Sequence, residues 1–207
     1  GRTAGDRHPV WLAVSRQYLL LLVCSLVLFT AAAAASTVRD DIGRAIPTSP
    51  APKRVITLSP HATELVLAIG GAEQLVAAAT HDTDLPEHTL RIPGFGGMDR
   101  EQVIQLAPDL VVAWHSGNRP ADLAWLEHQG IRVFHSEPQS LQVLADSMQR
   151  LGQLLHKSTE AAQAARHFEN ALEGPCSALT PREVYIEIWE RPALSVGGRH
   201  CLNDVLR

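Results

Sequence analysis

Basic residues are in short supply in this chain, with 18 Lys and Arg against 22 Asp and Glu. A net charge of −4 and a pI near 6.2 leave no excess cation to neutralise a run of phosphates, which excludes nucleic acid as a partner. Cysteine is equally sparse, and its three positions form no CxxC pair. Cys24 lies in the leader described below, so Cys176 and Cys201 are the only two that can pair in a mature chain; a disulfide is permitted and not required. The sequence also lacks an internal repeat, a phosphate-cradling glycine loop and a Ser, His and Asp set in the setting of a nucleophile elbow, so an enzyme is disfavoured. What remains, 45% hydrophobic and 19% charged residues over 207 positions, suits one globular unit of ordinary size.

The apolar run Leu19 to Phe29 follows Arg2, Arg7 and Arg16 and leads into Ala31 to Ala35, the order of a secretory signal with a small-residue cleavage region. The run is about 11 residues against the roughly 20 that cross a bilayer, so residues 1–35 read as a cleaved signal peptide with a long n-region. Cys24 sits within the apolar run after Val23, a poor setting for lipidation, and a free exported protein is expected over a membrane-anchored one. Residues 36–52 carry Pro47, Pro50 and Pro52 and are expected to be an unstructured spacer.

From Lys53 onwards, short apolar runs alternate with helical patterns. Strands are predicted at Val55–Leu58, Leu75–Ala79, Leu110–Trp114, Ile131–His135 and Val184–Trp189. Helices are predicted from a Ser59 cap and Pro60 to Gly70, from Asp99 or Arg100 to Leu106, from Arg119 or Pro120 to Gln129, from Ser140 to Leu155, and from Thr159 to Glu173. The alternation implies an α/β fold with a parallel sheet and crossover helices. Residues 53–156 are expected to form its first lobe, 157–182 a connecting helix, and 183–207 the start of a second lobe that is expected to be incomplete.

In open parallel sheets ligands bind beyond the carboxyl ends of the strands. Those ends carry Ser59-Pro60-His61, then Thr80-His81-Asp82-Thr83-Asp84, then Trp114-His115-Ser116-Gly117-Asn118, and finally His135-Ser136-Glu137. The loop Pro93 to Met98 adds Phe95 and Gly96, and Phe95, Trp114 and Trp189 together offer flat apolar faces. Trp114 and Trp189 equally suit core positions. His61 with Glu64 has chelating spacing, and His81, Asp82, Asp84 and His88 are metal-ligand types, although Asp and Thr before Pro86 are also turn formers. A zinc or manganese site would draw on His61, His81, Asp82 and His115, and a metal-dependent hydrolase on the same residues is a more remote alternative.

The segment Arg54 to Leu65 resembles the opening strand and helix of periplasmic cobalamin-binding proteins, the solute-binding subunits of ABC importers in the cobalamin and iron-chelate group. Asp84-Leu85-Pro86, Gly97 to Glu101, Pro108 to Trp114, Ser116-Gly117-Asn118, Val184 to Trp189 and Leu202 to Leu206 follow in that family's order, so the resemblance spans residues 53–207. It implies a two-lobed periplasmic binding protein fold with a helical connector, a cobalamin or related tetrapyrrole or metal chelate between the lobes, no cofactor beyond that transported ligand, and a monomer delivering to a permease with its ATPase. By resemblance, Phe95 with Gly96, Trp114 and Trp189 pack on the ligand, Pro60 and His61 form the first cleft loop, and the outward carboxylate of Glu101 meets basic residues of the permease. Asp82 stands where a Tyr is common in the family.

Overall fold

The computed structural model describes residues 36–173 apart from 81, 83, 95 and 96, and beyond these 183–187, 190, 191, 195, 197 and 201–205. The signal-peptide reading of residues 1–35 lies outside the described residues. Residues 36–52, expected as a spacer, instead begin with an antiparallel hairpin of β1 (Thr37–Arg39) and β2 (Ala45–Pro47). The two short strands each turn one apolar side chain inward. Val38 and Ile46 face each other in the register and both join the main core, which is why this proline-containing stretch is ordered.

Five strands form the main sheet: β3 (Val55–Thr57), β4 (Leu75–Ala79), β5 (Leu90–Ile92), β6 (Leu110–Trp114) and β7 (Arg132–Ser136). All pairings are parallel, in the order β5-β4-β3-β6-β7. The sequence pattern located four of these. β5 has only three residues, two of them exposed, and owes its existence to a ladder with Ala77–Ala79 that local sequence does not announce.

Alternation along the strands sorts side chains into two layers. Val55, Leu110, Val112 and Phe134 join one cluster, and Ile56, Leu58, Val111, Ala113 and Val133 the other. The first layer is covered by α1 (Pro60–Ala68), and the second by α2 (Arg100–Leu106) and α3 (Pro120–His128). The amphipathic stripe expected from Ser140 is α4 (Leu141–Leu154), which seals the first layer through Met148, Leu151 and Leu154. α5 (Ser158–Leu172) lays Ala161 and Ala165 into the same layer. Each fully buried Leu or Ile here contributes about 1.5–3 kcal/mol by leaving water.

Helix ends follow the sequence with one exception. Asp99 caps α2 by accepting from Gln102 N–H at 3.1 Å, and Ser140 caps α4 from Val143 N–H at 3.2 Å. Ser59 occupies the cap position of α1 without using its hydroxyl there, because that oxygen faces His61 Nδ1 at 3.3 Å.

The strand predicted at Val184–Trp189 is not found in its described part. Residues 184–187 are chain outside both sheets, with Val184 and Tyr185 63% and 71% exposed, and among the described residues no strand lies beside them to complete a ladder. A single helical turn, α6 (Leu202–Val205), returns to α4, where Asp204 accepts from Leu141 N–H at 3.1 Å.

Candidate functional site

Strand order decides where the sheet opens. The chain runs outward from β3 through β4 to β5, then crosses to the other side of β3 to build β6 and β7. The loops after β3 and β6 therefore leave neighbouring strands toward opposite layers, α1 on one and α3 on the other, and the gap between them is the switch-point crevice at which open sheets of this kind take ligands.

His61 and Trp114 stand on the two sides of that crevice. Their rings meet edge to face, with centroids 5.6 Å apart and planes at 89°. His61 Nδ1 lies 3.3 Å from Ser59 Oγ, and Nε2 lies 3.2 Å from Ser136 Oγ at the end of β7. Burial holds the imidazole pKa below its ordinary 6.5, against the opposing pull of the Asp41, Glu137 and Asp82 carboxylates. The His61 side of the crevice therefore carries a ring that is neutral at pH 7 between two hydroxyls, each able to donate or accept.

Asn118 holds the strand ends together from beneath. It is 5% exposed; its Oδ1 accepts from Trp114 N–H at 2.7 Å, and its Nδ2 donates to Leu58 O at 3.0 Å and Gly94 O at 2.8 Å. One side chain thus ties the end of β6 to the end of β3 and to the loop after β5. Gly94 permits that junction, since a Cβ there would come within 2.6 Å of Leu58 O. The sequence offered one signal for Asn118, a turn-forming amide just past a strand, but nothing to say that it joins three segments.

Asp82, after β4, is also buried. Its Oδ2 accepts from Thr63 Oγ1 at 2.5 Å, and Thr63 in turn lies 2.6 Å from Thr57 Oγ1, a hydroxyl chain running down between β3 and α1. Its Oδ1 is buried and has no hydrogen-bond partner among the described residues. Arg91 steadies the same loop by donating to the carbonyls of Thr80 and Asp82.

The described members of the proposed metal set each turn to a different partner. His61 turns to Ser59 and Ser136, Asp82 to Thr63, and His115 to His135, with Nδ1 atoms 3.2 Å apart. His88 reaches Ala72 O at 3.2 Å, just before the start of β4 and so at the other end of that strand from Asp82. Among the described residues no group of three or more His, Cys, Asp or Glu is placed to hold a metal ion. His81, Phe95, Gly96 and Trp189 lie outside the described residues, as does Cys176, so those assignments and the Cys176–Cys201 pairing rest on sequence. Pro60 is exposed at the start of α1, and Glu101 is exposed on the first turn of α2.

Comparison with known proteins places the chain among periplasmic binding proteins. The model of the periplasmic binding protein family matches residues 55–182. The vitamin B12-binding protein of Vibrio vulnificus is 29% identical over 161 residues, covering 75% of this chain and 59% of the relative. The crystal structure of the periplasmic vitamin B12 binding protein BtuF of Vibrio cholerae superposes with a TM-score of 0.64 at 28% identity, covering 72% of this chain and 60% of that one. A periplasmic heme binding protein from Pseudomonas aeruginosa gives a TM-score of 0.53 at 26% identity, covering 58% and 44%. The chain thus spans about three fifths of the length of the vitamin B12-binding relatives it matches.

Proposed function

The chain belongs to the periplasmic binding protein family, and on that footing we propose that it holds cobalamin, or a closely related tetrapyrrole chelate, and hands it to the permease and ATPase of an ABC importer. The observation that carries this reading is the Trp114 ring, half-buried at the switch point and edge-on to a neutral His61. A flat apolar ligand edge is received by aromatic faces and a few fixed polar groups, and this crevice offers both. Relatives that bind vitamin B12 support cobalamin as the cargo, and a heme-binding neighbour makes haem the chelate to test against it. The residues assigned by resemblance keep their roles in this proposal: Pro60, His61, Asp82, Phe95, Gly96, Trp114 and Trp189 toward the ligand, and Glu101 toward the permease. Binding and release require no bond to be made or broken in the ligand, so the protein acts as a carrier and not as an enzyme. Residues 1–35 direct it to the periplasm, where it works as a monomer.

Titration of the purified protein with cyanocobalamin and, separately, with haemin tests this directly. Saturable cyanocobalamin binding that exceeds haemin binding supports the reading. Haemin binding alone would reassign the cargo, and binding of neither would overturn the proposal. Replacing Glu101 with Lys is expected to slow cobalamin uptake by cells while leaving the solution affinity unchanged.

A further inference from the structure

We propose that Gly117, with Asn118, is a positioning residue that sets where the Trp114 ring stands at the crevice. This rests on the reading of Trp114 as a ligand-facing ring. After β6 the chain makes one tight turn, closed by Asn118 N–H donating to Trp114 O at 2.9 Å, and the Trp114 indole folds back over that turn. A Cβ on Gly117 would lie 2.0 Å from Trp114 Cε3, 2.3 Å from Cδ2 and 2.6 Å from Cζ3, far inside contact distance for any pair of carbon atoms. The backbone at Gly117 does not have the positive φ of Gly97 or Gly130, so alanine is acceptable to the main chain there. The three nearest atoms that an alanine Cβ would meet all belong to the indole. Asn118 fixes the other half of the arrangement, because its Oδ1 holds the Trp114 N–H while its Nδ2 anchors the turn to Leu58 O and Gly94 O. The ring thus lies over the space where Gly117 has no side chain, and the backbone that carries it is pinned by the buried Asn118 amide. That leaves its edge contact with His61 at 5.6 Å as the geometry the ligand meets.

The test is Gly117→Ala, read first without ligand. The Trp114 indole N–H resonance should move and the ring contacts between Trp114 and His61 should disappear from the NMR spectra, while the far-UV spectrum stays that of the parent. Cyanocobalamin affinity should then fall about tenfold, in proportion to the loss of one aromatic contact. In a Trp114→Ala background the same Gly117→Ala change should have no further effect on affinity or stability, since the clash is gone. Unchanged ring contacts in Gly117→Ala would overturn the positioning role whatever the affinity. A displaced ring with parental affinity would overturn its relevance to binding. Parental affinity in Trp114→Ala would instead overturn the platform reading itself, and the proposal with it.

Discussion

Two regions at the same end of the sheet are built from similar residue types and are spent in different ways. The crevice between β3 and β6 contains His61, Trp114, Asn118 and Asp82. The outer edge at β7 contains His115, His135, Glu127 and Arg44, together with Asp40 and Asp41 from the hairpin. At the edge, the charges are consumed by partners. His135 Nε2 lies 2.8 Å from Glu127 Oε1 and 2.8 Å from Arg44, Arg44 is paired with Glu127, and Asp41 accepts from Ser147 Oγ, Arg150 and Glu137 N–H. The Arg44 hydrogen bond pulls the Glu127 carboxyl below its usual range, and Glu127 in return raises the Arg44 guanidinium. Asp41 N–H donates to His135 O, and the Asp40 carboxylate receives His135 N–H, so the hairpin also satisfies the free backbone edge of β7. In the crevice the polar groups face hydroxyls that can reorient, one Asp82 oxygen has no partner among the described residues, and an aromatic ring stays half-buried. Residue type alone does not mark a binding site; groups left with capacity to bond do.

The contrast can be broken at several points. The largest effect is expected from Asn118→Ala, which strands the Trp114 N–H and two carbonyls in the interior and should remove about 3 kcal/mol of stability, measured by denaturant unfolding, along with ligand binding. Asp41→Ala leaves Arg150 partly buried without its carboxylate and removes the side-chain part of the hairpin's attachment, with an expected loss of about 2–3 kcal/mol in the same assay. Here the cyanocobalamin affinity should stay within about twofold of the parent, since the hairpin contact is structural. A collapse of binding in Asp41→Ala would show that the two regions are one. Trp114→Ala should do the reverse, with about a tenfold loss of affinity and less than about 1 kcal/mol of stability lost, because the ring is only half-buried.

Acid should separate the two regions by the smallest but most diagnostic margin. His61 has a folded pKa below its ordinary 6.5, so the unfolded chain takes up a proton first and stability declines as pH falls from 6.5 toward the lower folded value. Glu127 has a folded pKa below its ordinary 4.5, so its contribution is whole above 4.5 and is lost only as pH falls from there through the folded value. Its partly exposed pairing with Arg44 keeps that second loss modest and salt-sensitive. In stability profiles, His61→Gln should flatten the first decline and Glu127→Gln the second. A profile in which either substitution flattens both would contradict the separation.

The long periodic elements were legible in the sequence because their instructions are local. The β-branched run from Val55, the Pro60 start of α1, the capped starts of α2 and α4, and the leucine stripe of α4 all appear where composition and spacing put them. The short elements were not. β5 exists through its ladder with β4, and the β1–β2 hairpin through the burial of Val38 and Ile46 against residues far along the chain. The hairpin left a trace, since Thr37-Val38-Arg39 and Ala45-Ile46-Pro47 alternate around a short loop containing Gly43, but three prolines outweighed it. In the candidate site, the rim residues were visible as strand-end types, while their grouping was not. His115 was placed with His61 and Asp82 by position after a strand, and it stands instead against His135 on the outer edge.

The sequence by itself determined the layered α/β plan, the strand ends at which polar and aromatic residues collect, and the family to which the chain belongs, because each depends on periodicity, capping and the order of short motifs. Only the tertiary structure decided that β3 and β6 are neighbours, that Asn118 joins three segments beneath Trp114, and that the hairpin residues seal β7. Those outcomes depend on which distant groups come within hydrogen-bond reach of one another, and neither spacing nor composition specifies such a distance.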